Sequence, residues 1–149
     1  MRKKDELAID KIIECAKQEF LEKGFEGASM RNIAESAGYT TGMLYGRFAD
    51  KSELFRAIVK DSADKLYFYY SGVQKEFARL APETQYNDMH VYVDARINEM
   101  LDIVYGSFDE FKLIICKSKG SEYEKYVDKL IEIETDNTVR FISELNAAG

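Results

Sequence analysis

Between residues 29 and 51 the chain carries small, hydroxylated and cationic side chains at spacings that one short helix and its flanks would turn outward: Ser29, Thr40, Thr41, Gly42, Tyr45, Arg47 and Lys51. Leu44 and Phe48, four residues apart, anchor that helix and leave the rest of its surface outside. A short helix of this kind suits the major groove of DNA, where N-terminal helix residues reach base edges. Thr40 and Thr41 open the helix, and their methyls can also meet a thymine methyl. Gly42 lets the helix backbone come close to the groove. Tyr45 can donate its hydroxyl to phosphate, and Lys51 adds a cation beside it. Arg47 could read guanine or hold phosphate, and spacing leaves both open. Ser29 and the N–H groups beside it lie at a positive helix end suited to a phosphate oxygen. Lys3 and Lys4 could form an arm that reaches an adjacent groove.

The elements that must position these residues are helical. Ile9, Ile12, Ile13, Ala16 and Phe20 fall on one 3.6-residue stripe, predicting a first helix over about 5–23 that Gly24 stops. Ser29 is a suitable N-cap for a helix over 30–37, with Met30, Ile33, Ala34 and Ala37 inward and Gly38 making the turn. Thr40 or Thr41 caps a third helix through Phe48. Asp50-Lys51-Ser52-Glu53 reads as a capping box, starting a fourth helix that runs to about Arg79. Pro82 precedes a fifth helix over 83–105, and a sixth (108–117) and a seventh (122–145) follow. Strand-like alternation is absent. The predicted architecture is all-α: a helix-turn-helix unit of three helices over 1–50, then a helical regulatory bundle over 51–149.

Composition fits this. The 149 residues are 46% hydrophobic with a single proline, so a folded core and long helices are expected. The net charge of −6 argues against a protein that coats nucleic acid indiscriminately. Residues 1–60 hold 11 Lys/Arg against 10 Asp/Glu, whereas 61–149 hold 10 against 17, so the acidic excess lies away from the DNA-like face. Cys15 and Cys116 read as reduced, buried thiols. No apolar segment is long enough to span a membrane, no signal core follows Met1, and the expected compartment is the cytoplasm. One histidine, with no nucleophile elbow, phosphate loop or Cys-x-x-Cys, argues against an enzyme. No catalytic residue, metal site or cofactor is expected.

The second half is rich in tyrosine and phenylalanine. Tyrosine is costly to bury unless its hydroxyl finds a partner, so the surplus is compatible with a cavity offering apolar walls and hydrogen bonds. The candidate lining is Tyr67, Tyr70, Tyr86, Tyr105, Phe108, Phe111 and Tyr126. Asp102, Asp109, Glu122 and Asp128 lie near these rings in sequence, which would suit an aromatic or lipophilic cation as small-molecule effector. Met89, Met100 and His90 read as packing residues.

Residues 5–60 resemble the N-terminal domain of the tetracycline-repressor (TetR) family. The resemblance rests on Lys23-Gly24-Phe25, Ser29, Ile33-Ala34, Ala37-Gly38, Gly42, Leu44-Tyr45, Phe48 and Lys51-Ser52-Glu53-Leu54-Phe55. It implies a homodimeric repressor that releases a palindromic operator when a ligand enters the C-terminal helices. By position it gives base reading to Thr40 and Thr41, and phosphate contacts to Ser29, Tyr45 and Lys51. Gly46 departs from the family pattern, which usually has a large aromatic, His or basic residue there, and Tyr39 replaces a small aliphatic. The resemblance also implies two further helices that build the dimer interface, so either a chain ending at Gly149 is a shortened form or dimerisation uses another surface. Coupling is expected through helix 4, whose far end would swing two heads that must address half-sites about 34–36 Å apart. The competing reading is a helical interaction module whose helix-turn-helix no longer reads DNA.

Overall fold

The computed structural model describes residues 2–148, and no strand occurs among them. Seven α-helices follow in order: α1 (Arg2–Gly27), α2 (Met30–Ala37), α3 (Thr41–Tyr45), α4 (Lys51–Phe77), α5 (Pro82–Gly106), α6 (Phe108–Lys112) and α7 (Tyr126–Ala148). A π-helical turn, Leu113–Lys117, extends α6. The chain forms two compact units. One holds residues up to 61 together with 109–124; the other holds 62–108 and the chain from 125 onward. These units divide the chain elsewhere than at residue 50, because α6 and its π turn return to the first helices.

In the first unit, α1 is kinked at Gly24, whose φ of 71° and ψ of 172° are non-helical and separate a last turn from the main helix. The inward stripe of α1 is realised by Ile12, Ala16 and Phe20. Ser29 caps α2 by a long bond from the Asn32 N–H (3.5 Å). Gly38 ends α2 in the left-handed conformation (φ 76°, ψ 29°), which side chains with a Cβ rarely adopt. Its N–H and that of Tyr39 close onto the carbonyls of Glu35 and Ala34 at 3.1 and 2.9 Å. Thr40 Oγ1 caps α3 by accepting the Met43 N–H at 3.2 Å. The capping box forms with one shift. Asp50 accepts the Glu53 N–H (2.8 Å), but Glu53 reaches back to the Ala49 N–H (2.6 Å) rather than to Asp50's own.

The core of this unit is aromatic. Phe55 is 1% exposed and touches Phe20 edge-on (5.0 Å between ring centres), Phe25 (5.3 Å) and Tyr123 (6.1 Å). Phe111, Leu113 and Ile114 on the returning segment are equally buried. Lys17 on α1 donates to Glu110 on α6 at 2.7 Å. That bond raises the Lys17 pKa; for Glu110, burial pushes upward but the lysine holds it below the ordinary carboxylate value. Ser118 donates to the Ile114 carbonyl at 2.6 Å, ending the π turn without a buried orphan group.

The second unit is built from the later part of α4 with α5 and α7. Tyr126 at the start of α7 is buried and donates to the Ala63 carbonyl on α4 at 2.7 Å. Along α5, Val93, Ile97, Leu101 and Tyr105 recur every four residues and are all exposed, as are Val127, Ile131, Val139 and Ile142 on α7. Among the described residues no helix is long and apolar enough to cross a membrane. Both cysteines are free thiols, but Cys15 is half-buried and Cys116 is exposed, because the π turn leaves position 116 outside the buried trio before it.

Candidate nucleic-acid interface

The surface expected to read DNA is outside. Thr40, Gly42, Tyr45, Gly46 and Arg47 are exposed and Thr41 is half-buried, while Leu44 (0% exposed) and Phe48 are sunk in the core. Two inward side chains thus hold a five-residue helix whose remaining surface is open to solvent. Met43, which the sequence reading passed over, is 53% exposed on the same helix. The signal was available, since residue 43 falls outside the Leu44/Phe48 pair. Thr40 has a second task, because its hydroxyl oxygen is the α3 cap. Gly46 has a helical backbone, and a Cβ there would come no closer than 3.4 Å to another atom, so nothing inside the fold requires a glycine.

Three expected phosphate positions have mixed surroundings. Tyr45 is 51% exposed. Lys51 is turned inward instead: its ammonium donates to the carbonyls of Glu26 (3.1 Å) and Ala28 (3.2 Å) and lies 4.8 Å from the centre of the Phe25 ring. Glu26 is in the last turn of α1 and Ala28 lies just beyond it, so the lysine closes the link to α2. A third ammonium proton is left for an outside acceptor.

At the α2 N-terminus a carboxylate already occupies part of the anion-binding geometry. Glu19 accepts the Ser29 N–H (3.2 Å), the Asn32 side-chain amide (3.3 Å) and the Lys23 ammonium (3.0 Å). The sequence reading reserved those N–H groups for phosphate; the structure gives the Ser29 N–H to Glu19. Partial burial pushes the Glu19 pKa up, but the bonds from Lys23, Ser29 and Asn32 outweigh it and hold it below the ordinary value of 4.5. A depressed carboxylate contributes stability above its unfolded pKa and loses it as pH falls through the folded one. Acid titration of unfolding free energy should therefore show a drop below about pH 4.5 that is shallower in Glu19→Gln. An unchanged acid limb would mean that Glu19 does not hold this junction. The side chains of Lys3 and Lys4 lie outside the described residues; their backbone is helical, as part of α1 rather than an arm.

In the second unit a cavity of about 310 Å³ is walled by Val73, Phe77, Met89, Ile97, Met100 and Phe141. Polar groups reach it from Tyr70, Gln74, Tyr92, Arg96, Glu134 and Arg140. Of the rings proposed from sequence, Tyr70 alone belongs to this lining. Phe111 is sealed in the first unit's core and Tyr126 is committed to Ala63. Tyr86 (71% exposed), Tyr105 and Phe108 face solvent, with Tyr105 stacked on Phe108. Tyr67 packs edge-on against Phe68. Met89 and Met100 line the cavity rather than fill a core, and His90 is exposed. Burial, and then a bond to Glu134, push the Tyr70 phenol up to about 12. Among the described residues no group of three or more His, Cys, Asp or Glu could hold a metal ion.

Residues 12–58, which include the whole of α2 and α3, match the sequence pattern of the bacterial regulatory proteins of the tetR family. This N-terminal segment is a tetR-family domain. It is similar to the HTH-type transcriptional regulator YfiR of Bacillus subtilis, 22% identical over 134 residues that cover 89% of this chain and 62% of that protein. It is also similar to the transcriptional repressor AcnR of Corynebacterium glutamicum, 36% identical over 55 residues, 37% of this chain and 29% of that one. The repressor KstR2 of Mycolicibacterium smegmatis is 30% identical over 64 residues, 43% and 31% of the two chains. The chain therefore spans less than two thirds of the length of these relatives. Each is named as a transcriptional regulator or repressor, in keeping with the expectation that the chain is not an enzyme.

Proposed function

We propose that this chain is a tetR-family, ligand-responsive transcriptional regulator that represses from a two-fold operator and lets go when a small molecule enters the cavity of its second unit. The observation that carries the DNA reading is the surface of α3 and its flank: two buried anchors, a half-buried Thr41, and exposed Gly42, Met43, Tyr45 and Arg47. Thr41 and Arg47 reach base edges, Thr40 offers its methyl, Gly42 allows close approach, and Met43 supplies an apolar contact for a thymine methyl. Tyr45 and the third proton of Lys51 hold phosphates; Ser29 does so through its hydroxyl, its N–H being given to Glu19. A two-fold operator calls for two copies of the chain, and the exposed apolar rows of α5 and α7 are the surface on which a second copy would pack. Helix α4 runs from Lys51, beside α3, without a break to Phe77 at the cavity wall, which makes it the element through which an effector would act.

The test is selection of bound DNA from a random pool, followed by titration of the winning sequence against salt. The recovered site should have two-fold symmetry, and affinity should fall about a thousandfold between about 50 and about 200 mM salt. Thr41→Ala should relax sequence preference, whereas Tyr45→Phe should weaken all sequences alike. The competing interaction module is favoured by the inward commitment of Lys51 and by Glu19 on the α2 N-terminus. It predicts no enriched sequence and small, equal effects of the two substitutions.

A further inference from the structure

We propose that the effector is an organic cation with an aromatic or alkyl body, anchored at Glu134. The inference rests on reading the second unit's cavity as the effector site, and it follows from which charges around that cavity are already answered. Three charged side chains line it: Arg96, Glu134 and Arg140. Arg96 lies 3.6 Å from both Glu76 and Glu99, and Arg140 is 3.9 Å from Glu144 with a further bond of 3.1 Å to Asn137. Glu134 differs. Its partners are neutral, the Tyr70 phenol and the Gln74 amide, and both bond the same oxygen, Oε2. Among the described residues no cation pairs with it, and because Glu134 is exposed its Oε1 is open to solvent and to a ligand.

Two neutral donors fix the carboxylate in place without cancelling its charge. The Tyr70 phenol cannot become a competing anion, since its pKa is pushed up to about 12. A carboxylate offers about four acceptor sites, so an incoming ammonium or amidinium finds both charge and lone pairs unspent at Oε1. An anion would instead have to draw an arginine away from the carboxylates that hold it. The walls fit the same ligand. Phe77 and Phe141 are the rings left for a ligand cation, since the Tyr92 ring already carries the Arg96 guanidinium 5.3 Å from its centre. A volume of about 310 Å³ is at the small end for ligand pockets. Asp102, Asp109, Glu122 and Asp128, the acidic residues suggested by sequence, are not in the lining, and Glu122 is paired with Arg56 in the first unit.

Calorimetric titration of the chain with 2-phenylacetamidinium, phenylacetamide and phenylacetate separates the charge states of one aromatic body. The cation should bind about tenfold more tightly than the neutral amide, with phenylacetate weakest. Glu134→Gln keeps the size and an acceptor, and should bring cation and amide within about twofold. Tyr70→Phe should keep the cation preference. Thermal denaturation of each variant shows that it is folded. If the amide or phenylacetate wins, or if Glu134→Gln leaves the preference intact, the cation assignment falls while the cavity stands as a ligand site. If none of the three binds, both readings fall.

Discussion

Replacing Phe55 by alanine is expected to remove about 3–5 kcal/mol from the first unit, a large fraction of the roughly 5–15 kcal/mol that holds a domain together. The magnitude follows from position. Phe55 is almost fully enclosed and its ring meets Phe20 and Phe25, which flank the Gly24 break in α1, and Tyr123 from the returning chain. Deleting the ring loses its transfer free energy and leaves a void that the three other rings, each held by its own backbone, cannot all collapse into. Urea unfolding followed by circular dichroism should show the lowered midpoint. A cost under about 1 kcal/mol would mean that the aromatic cluster is not the organising core.

The first unit was legible in sequence because its signals are local. Ser29, Gly38 and Asp50-Lys51-Ser52-Glu53 each satisfy or end a helix within four residues, so spacing alone located α2, the turn and the start of α4. What spacing could not supply is contact between distant segments. Glu19 is ten residues from the Ser29 N–H it accepts, and Lys51 is more than twenty from the carbonyls it closes. Both looked like surface charges until the fold brought them to helix ends. Phe111 shows the same limit, as nothing in its neighbourhood says that the segment 109–124 returns to the first unit. The π turn was also hidden, because the apolar residues from Phe111 to Ile114 suit an α-helix equally well.

The cavity was harder to read for a different reason. Aromatic residues at helical spacing serve a core, a cavity wall or an exposed stripe alike, and this chain uses them in all three ways. Tyr126 is core, Tyr70 is wall and Tyr105 is outside. Hydroxyl partners separate these uses, and those partners lie far along the chain: Ala63 for Tyr126 and Glu134 for Tyr70.

Gly42→Ala should move fold stability and DNA affinity in opposite directions. Gly42 is exposed within α3, and a Cβ built there meets nothing closer than Thr40 Oγ1 at 4.0 Å. Inside the molecule, then, a methyl group costs nothing. Alanine is a better helix former than glycine by about 0.8–1 kcal/mol, so the variant should be at least as stable as the parent. A helix lying in a groove changes the sign. There the missing Cβ is what lets the backbone come close, and a methyl pressed against base edges or sugars would push the helix outward and lengthen the hydrogen bonds of its neighbours. Affinity for the selected operator should drop about tenfold or more, equivalent to about 1.4 kcal/mol, with Gly42→Val worse than Gly42→Ala. A structural glycine would behave in the reverse way, since substitution would lower the melting temperature and carry binding down with it. Denaturation and operator titration on the same preparation decide between them. If Gly42→Ala binds the operator as well as the parent does, α3 is not buried in the groove at this residue, and the contacts assigned to Thr41, Met43 and Arg47 lose their geometric basis.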